Sequence, residues 1–77
     1  EEFYNTWKKS EDEYRLIAEM IELRKQKGIS QTQLARTIGN RQQVISRIEK
    51  KENSPSLKMF CCILDSLGYE LKIVKKN

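Results

Sequence analysis

Seventy-seven residues make one small domain. A chain of this size buries only about 60% of the surface it exposes when unfolded, so the core will be thin and a second copy would help to cover it. The composition, 38% hydrophobic and 34% charged, excludes a disordered chain, and no apolar run approaches the roughly 20 residues that span a bilayer.

Residues 1–10 read as an N-terminal extension of a single domain covering 1–77. Phe3, Tyr4 and Trp7 lie there among charges, at spacings that fit a helical turn. They are read either as packing on the domain's own first helix or as an anchor for a partner protein, since aromatic residues are favoured at interface hot spots. Ser10 to Glu13 has the form of a capping box, with acids in the first turn to suit the helix dipole. The first firm helix is therefore predicted over 11–26. Tyr14, Leu16, Ile17, Met20, Ile21 and Leu23 form its apolar stripe. Arg24, Lys25 and Lys27 occupy the last turn, and Gly28 stops it.

Ser30 to Gln33 is a second capping box, and it starts a helix predicted over 31–38 with Leu34, Ala35 and Ile38 inward. Gly39 ends that helix. A third helix is predicted over 42–50, where neither Asn40 nor Arg41 supplies an obvious capping box. Residues 51–55 form a loop. Ser56 caps a fourth helix over 57–67, with Leu57, Phe60, Cys61, Ile63, Leu64 and Leu67 inward, and Gly68 terminates it. The period then changes from that of a helix to two. Tyr69, Leu71 and Ile73 alternate with Glu70, Lys72 and Val74, which predicts a β-strand over 69–76. Only one strand is visible, and a lone strand leaves its backbone groups unpaired. The expected partner is the same strand of a second copy, antiparallel across a two-fold axis, with Tyr69, Leu71 and Ile73 as the dimerisation residues. Pairing with the first few residues of the chain, or a frayed tail, is the alternative.

The third helix carries the chemistry. Gln42, Gln43, Ser46 and Arg47 share one face, while Val44, Ile45 and Ile48 occupy the others. Amides and a guanidinium on a short, well-packed helix are what reading base edges in a DNA major groove requires. A glutamine bonds bidentate to adenine N6 and N7, and Arg47, one turn on from Gln43, suits guanine O6 and N7. Gln31 heads the second helix, where a neutral side chain and backbone amides suit a phosphate. Arg36, Arg41, Lys50 and Lys51 are candidate phosphate contacts. The charge distribution agrees: residues 1–30 hold six basic and seven acidic side chains, whereas 31–77 hold nine basic and four acidic. Each of these side chains, taken alone, also fits an ordinary solvated surface.

Other chemistries find little support. The chain has no histidine, the commonest metal ligand and general base. Cys61 and Cys62 are adjacent and point about 100° apart on a helix, so they make no Cys-x-x-Cys metal pair. Cys61 is expected in the core and Cys62 partly exposed, with no disulfide scaffold, as in a reducing cytoplasm. No signal peptide is visible. No enzyme activity, metal or cofactor is expected.

From Tyr14 to Leu71 the chain resembles the lambda-repressor-like helix-turn-helix domains of the XRE/Cro group. The matching residues are Leu23-Arg24-Lys25, Gly28 to Gln31, Leu34-Ala35, Gly39, Gln42, Ile45 to Glu49, Pro55 to Leu57 and Leu67-Gly68. Within the group it is most similar to HigA-type antitoxins, through Glu13 to Ile17 and the ending Leu67 to Val74. The resemblance implies a mainly α, four-helix domain with a C-terminal strand that pairs across a dimer. It implies a sequence-specific repressor binding a palindromic operator, with contacts from Gln42, Gln43 and Arg47; Gln31, Arg41, Ser46 and Lys50 are the further candidate contacts. It further implies an antitoxin that neutralises a ribonuclease toxin of the RelE/HigB type. A free-standing phage or chromosomal repressor, and a protein-interaction module that reads no DNA, are the competing readings. Two positions depart from the pattern. Asn40 stands where relatives carry a small apolar residue, and Arg41 where they carry Ser or Thr, which weakens the cap of the third helix. In the family Glu49 is structural and Arg24 matches a residue that clamps the fold, so an Arg24–Glu49 pair is expected.

Overall fold

Four helices follow one another: α1 Glu2–Gln26, α2 Gln31–Ile38, α3 Gln42–Glu49 and α4 Leu57–Ser66. They are described by a computed structural model covering residues 2–76, with side chains from residue 11 onward. Ser30 Oγ accepts from Gln33 N–H at 3.0 Å, and Gln33 Oε1 accepts from Ser30 N–H at 2.8 Å. That is the capping box the sequence promised for α2. Ser56 Oγ accepts from Met59 N–H at 3.0 Å and caps α4 as expected.

The start of α1 differs from the sequence expectation. The helix is unbroken from Glu2, so Ser10 lies within it and not at its start. Residues 2–9 contain neither Gly nor Pro, so nothing in the backbone stops propagation there, and adding residues to an existing helix is easier than starting a new one. The readings of Phe3, Tyr4 and Trp7 concern side chains outside the described residues.

Every helix closes with the same pair of backbone bonds, one reaching back three residues and the next reaching back five. In α2 these run from Gly39 N–H to Arg36 O and from Asn40 N–H to Ala35 O. In α3 they run from Lys51 N–H to Ile48 O and from Glu52 N–H to Arg47 O. The motif requires a left-handed residue at its corner. Gly39 supplies it at φ 73°, but in α3 the residue is Lys51, at φ 64°. Its ammonium lies 5.6 Å from the centroid of the Tyr14 ring, within cation–π range. Lys51→Gly is therefore expected to stabilise the domain by about 0.5 kcal/mol, the relief of left-handed strain exceeding the lost aromatic contact and the greater freedom of the unfolded chain. A urea melt checks this.

Ile17, Met20, Leu34, Ala35, Ile45, Ile48, Phe60, Ile63, Leu64 and Leu67 form the core, drawn from all four helices. Two residues expected inside α4's buried face lie outside it. Leu57 is 70% exposed and Cys61 is exposed. The core-facing stripe is Phe60, Ile63, Leu64 and Leu67, at helical spacing. Cys61 falls about 100° round from Phe60, and Leu57 sits a turn before the stripe begins, past the edge of the core. Tyr14, expected in the α1 stripe, is 43% exposed beneath Lys51. After Gly68, residues 69–76 continue without a ladder, and no strand forms among the described residues. The alternation is present in the sequence, but the chain offers it no second strand.

Candidate nucleic-acid interface

The polar face is built on a chain of hydrogen bonds that crosses three helices. Arg24, near the end of α1, donates through Nε to Glu49 Oε2 at 2.7 Å and through Nη2 to Glu49 Oε1 at 3.0 Å. Its Nη1 donates to the carbonyl oxygen of Ile29 at 2.8 Å, in the α1–α2 turn. Gln31 Nε2 also donates to Glu49 Oε1, at 2.8 Å. Gln31 Oε1 then accepts from Gln42 Nε2 at 2.7 Å. The Arg24 and Glu49 side chains are only 10% and 7% exposed. A bidentate, charge-assisted pair with a further lone pair of Oε1 used by Gln31 is the arrangement a buried ion pair needs. Among the described residues no buried side-chain polar atom lacks a partner.

This network fixes the start of α2 and both ends of α3 relative to α1. It also determines what Gln31 and Gln42 can offer. Gln42 has committed one amide hydrogen to Gln31 and keeps its carbonyl oxygen and the other hydrogen for a ligand. The sequence predicts Gln31 and Gln42 as separate contacts, whereas the structure joins them. Spacing gives no sign of their pairing, although an amide can accept from one glutamine and donate to a carboxylate at once.

Helix α3 divides cleanly. Ile45 and Ile48 are 0% and 2% exposed and face the core. Gln43 and Arg47, four residues apart and so on one face, are exposed. Ser46 and Gln42 are half-buried beside them. Arg41 and Lys50, the flanking residues at the two ends of α3, are both exposed, as is Arg36 on α2. Lys51 differs: its side chain turns to Tyr14 on α1.

The start of α3 is as weakly capped as the sequence indicated. Arg41 is the N-cap residue and makes no side-chain capping bond, while Asn40 Oδ1 accepts from Arg41 N–H at 2.9 Å. The electrostatics of the face are one-sided. Residues 31–51 hold five basic side chains and one acidic, Glu49. Glu49 is neutralised by Arg24, so little negative charge opposes a polyanion here.

Known proteins resemble this one in sequence and in structure. The Helix-turn-helix family profile matches residues 20–74. A helix-turn-helix-type transcriptional regulator of Haemophilus influenzae, itself uncharacterised, is 46% identical over 59 residues, which are 77% of this chain and 60% of that protein. The chain thus spans less than two thirds of that relative's length. A toxin–antitoxin module from Streptococcus pneumoniae has the same fold, with a TM-score of 0.72 and 36% identity over 95% of this chain and 80% of that one. Matched over more than half its length, with the two short helices and the left-handed turn at Gly39 in place, the chain belongs to the XRE-type helix-turn-helix family.

Proposed function

We propose that this protein is a sequence-specific DNA-binding repressor, working as a homodimer, and the antitoxin of a toxin–antitoxin pair. The observation that carries the DNA reading is the division of α3: aliphatic residues hold it from behind while Gln43 and Arg47 project outward. In this reading α3 enters the major groove, and Gln43 and Arg47 take base edges, with Ser46 between them. Gln31 and Gln42, tied to each other, present to the phosphate backbone beside Arg41 and Lys50. Two copies place their α3 helices in successive major grooves, about 34 Å apart, on a palindromic operator. Tyr69, Leu71 and Ile73 join the two copies. The likeness to the Streptococcus pneumoniae module supports the antitoxin half, whose partner we take to be a ribonuclease toxin of the RelE/HigB type. Such a pair acts in the cytoplasm.

Selection from a pool of randomised duplexes tests the central reading. A palindrome enriched by the purified chain, with affinity falling steeply as salt rises, is the expected result. Enrichment of no sequence leaves a protein-interaction module as the better account. Rescue by this chain of cells expressing a ribonuclease toxin of the RelE/HigB type tests the antitoxin half.

Arg41 gives a sharper check, because its two roles pull in opposite directions. Arg41→Ser supplies the missing cap and should stabilise the domain by about 1 kcal/mol. It should also weaken DNA binding at every sequence and lower the slope of log affinity against log salt by about 2, one for each copy in the dimer. Thermal melts and a salt titration read the two effects separately.

A further inference from the structure

We infer that the C-terminal segments of two copies pair antiparallel about a two-fold axis passing through Leu71, with Glu70 of each copy facing Lys72 of the other. This rests on the dimer reading above and fixes its register. Three observations carry it. Glu70 and Lys72 lie on one side of the segment, their charged groups 3.8 Å apart, and both are about three quarters exposed. Leu71 turns to the other side, where it lines a groove of about 430 Å³ with Leu16, Leu57 and Phe60. Tyr69 and Leu71 are 47% and 40% exposed, and Ile73 is completely so, at 102%.

A symmetric antiparallel pair keeps its apolar residues on one face only if the axis passes through a residue. An axis between residues would oppose positions of opposite parity, whose side chains point to different faces, whereas directly opposite residues of a pair share a face. Four axes then remain near the middle of the segment. An axis at Glu70 sets Glu70 against its own copy, and one at Lys72 sets Lys72 against its own copy. Like charges directly opposite are unfavourable. An axis at Ile73 sets Leu71 against Lys75. The axis at Leu71 alone gives two opposite-charge pairs on the outer side, Glu70 with Lys72 twice over. On the inner side it sets Leu71 against Leu71 and Tyr69 against Ile73. Tyr69, Leu71 and Ile73 thereby each gain an apolar neighbour at about 5 Å, above the groove that Leu71 already lines, while Val74 stays on the outer side.

Charge exchange in the full chain tests this. Glu70→Lys sets two lysines opposite each other at both pairs, and Lys72→Glu does the same with two glutamates. Each should raise the homodimer dissociation constant about tenfold in sedimentation equilibrium. Mixed one to one, with one variant isotopically labelled, the two should form heterodimers well beyond the statistical half by native mass spectrometry. Each introduced lysine then meets an introduced glutamate across the pair. Repulsion within each chain is unrelieved by mixing, so a purely intrachain effect predicts no such preference. A Glu70→Lys homodimer as tight as wild type, or heterodimers at the statistical half, overturns the register while leaving the dimer intact. A wild-type chain that stays monomeric at every concentration removes the dimer reading and the register with it.

Discussion

Arg24→Ala is expected to leave little folded protein at physiological temperature. The substitution strands the Glu49 carboxylate, whose side chain is 7% exposed, beside a space no water-filled surface replaces. It also removes the donor to the Ile29 carbonyl that closes the α1–α2 turn. Removing one partner of a buried ion pair costs about 3–5 kcal/mol. A domain this small commands roughly 5 kcal/mol in all, and each kcal/mol shifts the melting temperature of a chain of this length by about 4–8 °C. A fall of roughly 15–30 °C is the result to look for in thermal melts. An unchanged melting temperature would show that the pair carries no stability.

The companion experiment separates stability from organisation. Replacing both partners by apolar residues, Arg24→Met with Glu49→Leu, removes the stranded charge together with the pair, and is expected to recover most of the loss. Gln31, however, still loses the carboxylate that orients it, and through Gln31 so does Gln42. The double variant should therefore fold yet bind DNA more weakly than wild type. If it folds and binds fully, the network serves the fold alone.

Much of this was legible in the sequence because local rules and burial agreed. The capping box at Ser30, the cap at Ser56 and the glycine after α2 each satisfy backbone groups within a few residues, so their spacing alone places the helix ends. The Arg24–Glu49 pair spans 25 positions and came from the family resemblance, since no short-range rule joins two residues so far apart. The end of α3 shows the opposite case. The backbone there takes the same left-handed corner as at Gly39, but with a lysine, so the usual sign of a helix end is missing. The start of α1 misled because a capping box describes a possible end, and a helix already running through Ser10 has no use for one. Leu57 and Cys61 were assigned inward from periodicity, which knows the direction of a side chain but not where the core stops.

Gln43→Ala combined with Arg47→Ala is expected to abolish discrimination between operator and random duplex while leaving the fold untouched. Both side chains are exposed, and neither makes a hydrogen bond to the protein among the described residues. Alanine is also at least as good a helix former at both positions. The melting temperature should therefore match wild type, and any change in binding is a change at the interface. Each bidentate base contact discriminates by about 1–3 kcal/mol, and the dimer loses two in each half-site, so the preference for the operator falls roughly a thousandfold at the least. Residual binding, held by phosphate contacts, should keep its steep salt dependence. Lys50→Ala provides the contrast. A lost phosphate contact in each copy weakens operator and random duplex alike and lowers the salt slope of the dimer by about 2 without altering their ratio. Competition binding at two salt concentrations reads both quantities. A double variant that keeps the wild-type ratio places the specificity elsewhere than on the outer face of α3, since a side chain that touches no base cannot be missed when it is removed.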